Sequence, residues 1–308
     1  MQQERVLIAD PPGPTRHVSV MPEEVSQWLL EIAPATIIDG TYGGGGHTRQ
    51  LLRAMPAGHG RVLAIDRDPD VLKRHELSPE DSRVSLFVGS YERAGEAMRR
   101  LGWEFADALL LDLGLSSDQL DDARRGFSYQ GDGPLDLRFD SETGIPAHEW
   151  LQRHGEREIA DAIYKYGEER YSRRVAREIV RRSRERRPVR EAGELRDICC
   201  RCVPRGKHHD IHPATRTFQA LRIVVNDELG TLARTLAAAP DWIRPGGRVA
   251  VISFHSLEDR IVKQAFRGDP RWRRLTGKPL RPSAQEASDN PRSRSAKMRV
   301  AERTSDGV

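Results

Sequence analysis

Cysteine is scarce: three residues in 308, all within Cys199–Cys200–Arg201–Cys202. An odd number crowded into four positions does not make the paired framework of a disulfide-stapled domain. Uninterrupted apolar runs are missing too, none approaching the roughly 18 residues of a membrane span. The first residues, MQQERVLIADPPGPTRHVSV, lack the charged-then-apolar layout of a secretory leader. A cytoplasmic protein with no membrane partner is the simplest expectation. Strong net charge is also lacking; +4 with a pI near 9.1 favours a polyanionic partner only mildly.

The cysteines stand close in sequence to His208, His209 and His212, and thiolates with imidazoles are zinc ligands. The common structural zinc sites want a C-x2-C knuckle, which this spacing does not supply. Free thiols at a helix end are expected instead, and no metal.

What the chain has is local concentration of charge. Charged residues make up 31% of it, and arginines crowd 173–190, 267–282 and 290–299. These runs suit a phosphate backbone, with solvated helix faces as the bland alternative.

Short aliphatic runs alternate with helical patterns through the first third: TIID (36–39), RVLAID (61–66), RVSLFVG (83–89) and ADALLLDLG (106–114). Strand–helix repetition of this kind predicts an α/β fold with a doubly wound, mostly parallel sheet. Strand-like runs then cease from about Ser117 to His212, where apolar residues fall at helical spacing. Residues 214–239 read as one long helix with Phe218, Leu221, Val225, Leu229, Leu232 and Leu236 on a single stripe. GGRVAVISF (246–254) resumes the strand pattern, and KMRVAER (297–303) suits a last edge strand. The expected division is a discontinuous domain, 1–116 with 213–308, interrupted by a helical insert over 117–212.

Four glycines, Gly43 to Gly46, follow the first strand and precede a helix, where ligands bind in open α/β sheets. His47 stands where a nucleoside-triphosphate loop needs lysine, and Thr48 or Arg49 falls where a dinucleotide fingerprint needs its third glycine. A cationic cofactor suits the surroundings better, because Asp39, Asp66 and Asp112 close three of the strands. S-adenosylmethionine carries an ammonium and a sulfonium, and Asp66 lies about twenty residues past the glycines, where a carboxylate can accept both ribose hydroxyls.

Longer stretches make the pattern specific. IDGTYGGGGHTRQLL (38–52), LLLDLGLSSDQLDDARRGFSYQGDGPLDLRFD (109–140), HPATRTFQALRIVVNDEL (212–229), GGRVAVISFHSLEDRIVKQAF (246–266) and NPRSRSAKMRVAER (290–303) run in order along nearly the whole chain. Together they resemble the bacterial methyltransferase family that modifies N4 of a cytidine in the decoding centre of small-subunit (16S) ribosomal RNA. The resemblance implies a Rossmann-like, S-adenosylmethionine-dependent methyltransferase with cofactor contacts at Gly45, Gly46, His47, Asp66, Tyr91, Asp112 and Gln119. It also implies that the helical insert helps to hold the RNA, within the small ribosomal subunit. The family commonly has Phe where Tyr91 stands, which keeps the aromatic wall. CCRCVPRGKHHDI departs from the family's usual composition.

Asp112 is the candidate catalytic residue. The N4 lone pair of cytosine is conjugated into the ring, and an acceptor for an N4 hydrogen would localise it as the methyl group arrives. Many amino-methyltransferases use an Asp/Asn-Pro-Pro-aromatic tetrad there; this chain has Asp112-Leu113-Gly114-Leu115. Phe127, Tyr129 and Phe254 are candidates to stack on the base. In SFHSLED (253–259), His255 could orient base or phosphate, while Ser256 with Asp259 could cap a helix. A DNA amino-methyltransferase, a non-catalytic RNA-binding assembly factor and a nicotinamide dehydrogenase are the alternatives. The missing tetrad, the intact acidic residues and the failed fingerprint count against them in turn. Oligomeric state is left open.

Overall fold

In the parallel strands successive side chains separate cleanly onto two buried faces, which is what builds a sheet covered on both sides. The protein is described by a computed structural model over residues 19–56, 58–74, 82–204 and 211–305. Strands β1 (Thr36–Asp39), β2 (Arg61–Asp66), β3 (Val84–Val88), β4 (Ala106–Asp112) and β5 (Ile243–Ser253) are parallel. The short β6 (Trp272–Arg274) and β7 (Lys297–Arg303) complete a seven-stranded sheet in the order β3-β2-β1-β4-β5-β7-β6. Ile38, Leu109, Leu111, Val249 and Val251 enter one core, whereas Ile37, Leu110, Ala250 and Ile252 enter the other.

Helices α1 (Pro22–Leu30) and α2 (Gly46–Ala54) cover the second face. The first face is covered by α4 (Ala94–Arg100), α11 (Glu228–Ala238) and α12 (Ser256–Gly268). A short α3 (Pro69–Arg74) follows β2, and α5 (Ser117–Asp121) follows β4. Helices α6 (Ala147–Arg153), α7 (Glu156–Gly167), α8 (Ser172–Arg184), α9 (Ala192–Cys202) and α10 (Thr215–Asn226) pack on one another around a third core that includes Phe127, Leu135, Ile163 and Leu195. A last helix, α13 (Ala284–Asp289), precedes β7.

Two expectations are corrected. The long helix over 214–239 is broken: Asp227 takes φ 47°, ψ 43°, ending α10 and starting α11. Asn226 supplies the reason, its amide donating to the carbonyl of Leu137 (2.7 Å) and accepting from the N–H of Phe139 (2.7 Å). The apolar stripe is thereby divided, Phe218 and Leu221 joining the helical core and Leu232 and Leu236 the sheet core. Nor is β7 the edge strand. It lies antiparallel to β5 on one side and to β6 on the other, and the edge is β6, taken from sequence only as part of a basic run. Buried Trp272, edge-on to Phe266 at 5.8 Å, anchors that strand.

Candidate active site

The strand order reverses between β1 and β4, and at their carboxyl ends a crevice opens. Its empty space, open solvent at the mouth included, comes to about 1130 Å³.

The glycine loop forms its floor through backbone conformations that a side chain resists. Gly43 has φ +50° and Gly45 φ +69°, both left-handed. A methyl group at Gly45 would lie 2.7 Å from the Tyr42 ring. Gly43 and Gly46 line the crevice, as do His47, Asp66, Tyr91, Asp112 and Gln119. Gly45 is the exception among the expected contacts. Its N–H is committed to the carbonyl of Tyr42 (2.7 Å), so it shapes the turn and caps α2 rather than lining the space.

Three acidic residues end three strands, in three different roles. Asp39 is turned inward, 1% exposed, accepting from the Thr48 hydroxyl (2.6 Å) and the N–H of Thr41 (3.3 Å). Burial pushes its carboxyl above the ordinary range. Asp66 faces the crevice and accepts from the N–H groups of Gly43 (2.8 Å) and Asp68 (2.9 Å). Burial outweighs those two donors and lifts its pKa from 3.8 to about 6. Asp112 has Oδ2 3.2 Å from His47 Nε2, while its Oδ1 is buried and has no hydrogen-bond partner. A buried carboxylate oxygen left unpaired is costly, and at a crevice wall it marks an acceptor awaiting a donor. For His47, burial opposes the charge, but the Asp112 carboxylate, aided by Asp39, outweighs it and raises the pKa above the ordinary value.

Around this centre Gln119 accepts through Oε1 from the N–H of Ser116 (3.1 Å) and points its amide at Asp68 (3.5 Å). The Tyr91 ring lies under the guanidinium of Arg67 at 5.9 Å, and burial drives its hydroxyl pKa up. Of the stacking candidates, only Phe254 lines the crevice. Phe127 stacks on Phe139 at 5.7 Å and Tyr129 on His212 at 4.3 Å, both against the helical core. Phe139, Arg67, Glu228, Glu258 and Arg292 also line the space, and sequence reasoning did not name them. Arg67 directly follows Asp66 in IDRDP, the one local signal; the others come from distant segments.

The expected Ser256–Asp259 cap is corrected as well. His255 is the N-cap of α12, its Nδ1 accepting from the N–H of Glu258 (3.4 Å), while Glu258 accepts from the N–H of Phe254 (2.8 Å). Asp259 instead receives Arg299 (2.6 Å), and His255 does not line the crevice. Cys199 and Cys202 are buried near the end of α9, and burial pushes the Cys199 thiol up to about 12. Cys200 lies 3.9 Å from His212, while His208 and His209 fall outside the described residues. Among the described residues no three His, Cys, Asp or Glu side chains gather as a metal site.

The crevice thus has a glycine floor, the Asp66 carboxylate at the end of β2 and the unpaired Oδ1 of Asp112 at the end of β4. The model of the family described as MraW methylase matches residues 14–304. The chain belongs to the MraW methylase family. It is similar to the ribosomal RNA small subunit methyltransferase H of Rhodopirellula baltica, 65% identical over 298 residues, covering 94% of this chain and 92% of that one. The protein of the same name from Synechococcus elongatus is 45% identical over 302 residues, covering 96% and 98%. That from Stenotrophomonas maltophilia is 44% identical over 313 residues, covering 94% of each.

As an MraW methylase the chain is an S-adenosylmethionine-dependent methyltransferase, and its crevice fits that cofactor. The carboxylates of Asp66 and Asp112 and the ring of Tyr91 line it. Among the described residues of this methylase no helix is long and apolar enough to cross a membrane.

Proposed function

We propose that this methylase transfers the methyl group of S-adenosylmethionine to the exocyclic N4 of a cytidine in the decoding region of 16S ribosomal RNA, with the small ribosomal subunit as its cytoplasmic partner. The observation that carries the reading is the unpaired, buried Oδ1 of Asp112 at the crevice, whose other oxygen is held by His47 at 3.2 Å. The names of the relatives supply the substrate class.

Gly43, Gly46, His47 and Gln119 would hold the methionine end of the cofactor, Asp66 its ribose hydroxyls, and Tyr91 its adenine. When bound, the cofactor supplies an electrophilic methyl group. Asp112 Oδ1 accepts a hydrogen of the cytosine amine, localising the N4 lone pair and receiving the proton as positive charge develops there. Cytosine offers that hydrogen and uracil does not, so the same contact discriminates between them. Phe254, at the wall, offers a face for the base. Segment 117–212 is proposed as the RNA-recognition unit and 1–116 with 213–308 as the methyl-transfer unit, the helical core extending into α10.

The test is methyl transfer from labelled cofactor to small subunits lacking the modification, followed by nucleoside mass spectrometry. N4-methylcytidine is the expected product. Asp112→Asn should lower turnover by about 100-fold or more, the ordinary worth of a positioned base, with cofactor affinity retained. Full turnover in that variant would remove the acceptor role, and lost cofactor affinity at unchanged turnover would make Asp112 a binding residue only.

A further inference from the structure

Two arginine-rich surfaces compete as the grip on the RNA; some guanidiniums of each are already paired, and the sheet register ties one of the two to the reacting centre. On α8 and its flank Arg181 bonds Glu178 (2.8 Å) and Glu185 (2.5 Å), Arg182 bonds Glu194, Arg187 bonds Glu185, and Arg177 lies 3.5 Å from Glu156. Each pair is individually weak in water, yet every one stations a carboxylate where a phosphate would have to come. Exposed Arg173, Arg184, Arg186 and Arg190 lie outside these pairs, and the nine arginines and two acidic residues of 173–190 are matched by ten Lys and Arg and three acidic residues from Arg260 to Arg294. Lys278 and Arg281 are exposed and form no ion pair with the described residues. Arg294, also exposed, donates only its Nε, to the carbonyl of Ala287 (2.9 Å).

Register puts this second group beside the reacting centre. Asp112 pairs with Ile252, Ile252 with Met298, and Met298 bridges to Leu280. Leu280, between Lys278 and Arg281, therefore stands three strand spacings from Asp112 along one line across the sheet, about 14 Å. The next segment folds back along the mouth: Glu286 accepts from the N–H of Met21 (2.7 Å), beside the crevice-lining Ser19 and Val20, and Arg292 lines the crevice itself. The basic segment thus runs from beside the outer strands to the crevice, which Arg292 lines.

We infer that, besides the proposed recognition by the helical insert, the segment carrying Lys278, Arg281 and Arg294 grips the phosphates of the RNA strand flanking the target nucleotide, and that the paired arginines of α8 contribute little to that grip. The inference rests on the proposed RNA substrate. Phosphate neutralisation dominates such binding and makes it salt-dependent, each contact to a single strand adding about 0.7 to the slope of log affinity against log salt.

Two triple variants of the full chain remove the same charge. One is Lys278→Gln, Arg281→Gln, Arg294→Gln, and the other is Arg177→Gln, Arg181→Gln, Arg187→Gln. Binding of a fluorescent single-stranded RNA from the decoding region is measured by anisotropy across a salt series, with cofactor affinity confirming that each variant is folded. The first variant should bind RNA at least tenfold more weakly, with the salt slope reduced by about 2. The α8 variant should stay within threefold of the parent. Equal losses in the two variants would mean that net charge alone matters, and unchanged affinity in the first variant would overturn the assignment outright. If the first variant loses affinity for subunits but not for bare RNA, the surface meets a ribosomal protein and the inference is likewise overturned. Methyl transfer by the parent chain, scored separately, tells failure of the substrate reading from failure of this surface.

Discussion

With Asp66 at the ribose as proposed, cofactor binding and folding should depend on pH in opposite directions. The Asp66 carboxyl titrates near 6 instead of 3.8, chiefly because burial disfavours the charge against the two N–H donors that favour it. A folded-state pKa above the unfolded one means that the folded chain holds the proton more tightly. The associated stabilisation is complete below about pH 3.8 and is lost as pH rises through about 6. The rise from 3.8 to about 6 corresponds to about 3 kcal/mol, so at neutral pH the cofactor-free chain bears a cost of that order. Ribose hydroxyls reverse the preference, since both can donate only to an ionised carboxylate with acceptor capacity to spare. Affinity for S-adenosylmethionine should therefore fall about tenfold from pH 7 to pH 5, one pH unit below the folded pKa. Calorimetric titration from pH 5 to 8, beside urea melts of the free chain at the same pH values, reads both effects. His47, whose pKa the Asp112 carboxylate raises against burial, is a second titrating group at the crevice, so Asp66→Asn provides the discrimination. That variant leaves one of the two N–H donors facing an amide nitrogen, which makes its absolute stability a poor readout; its pH slope is the useful one. A slope between pH 5 and 7 as steep in Asp66→Asn as in the parent would refute the reasoning.

The pair between Asp68 and Arg125 (2.8 Å), with side chains 0% and 7% exposed, ties the end of β2 to the loop that carries Phe139. Asp68→Asn should cost about 3–5 kcal/mol by stranding a buried guanidinium, seen as a lower urea midpoint, and replacing both partners by apolar residues should cost less than the single change. Gly126 has φ +67°, and an added methyl would lie 2.1 Å from the carbonyl oxygen of Pro134. Gly144 has φ +73° and open space around it. Each Gly→Ala change forces a left-handed residue, worth about 1–2 kcal/mol; thermal melts should show Gly126→Ala losing clearly more than Gly144→Ala, and equal losses would dismiss the clash.

Much of the crevice could be read along the chain because its makers are local. A strand of alternating aliphatic residues, a terminal carboxylate and a glycine turn follow one another within a dozen positions, and backbone periodicity alone arranges them. Asp66 and Asp112 were legible for that reason. The same logic could not show that Gly45 spends its N–H on the turn, since the spacing of glycines does not say which N–H is consumed. It also ran α10 into α11, because an apolar stripe has no mark for the point where it must serve two cores; the amide of Asn226, bonded to residues 137 and 139, decides that. His255 and Glu258 displaced Ser256 and Asp259 as the cap once Arg299 claimed Asp259 from the neighbouring strand. Arginine counts likewise gave three basic runs equal standing, and only the register from Asp112 through Ile252 and Met298 to Leu280 sets one of them beside the reacting centre. Periodicity and turn chemistry are properties of neighbours in sequence and determined the sheet, its order of helices and the glycine floor. Partners brought together across scores of residues are settled by packing, and they decided which carboxylate oxygen remained free and which basic run stands beside it.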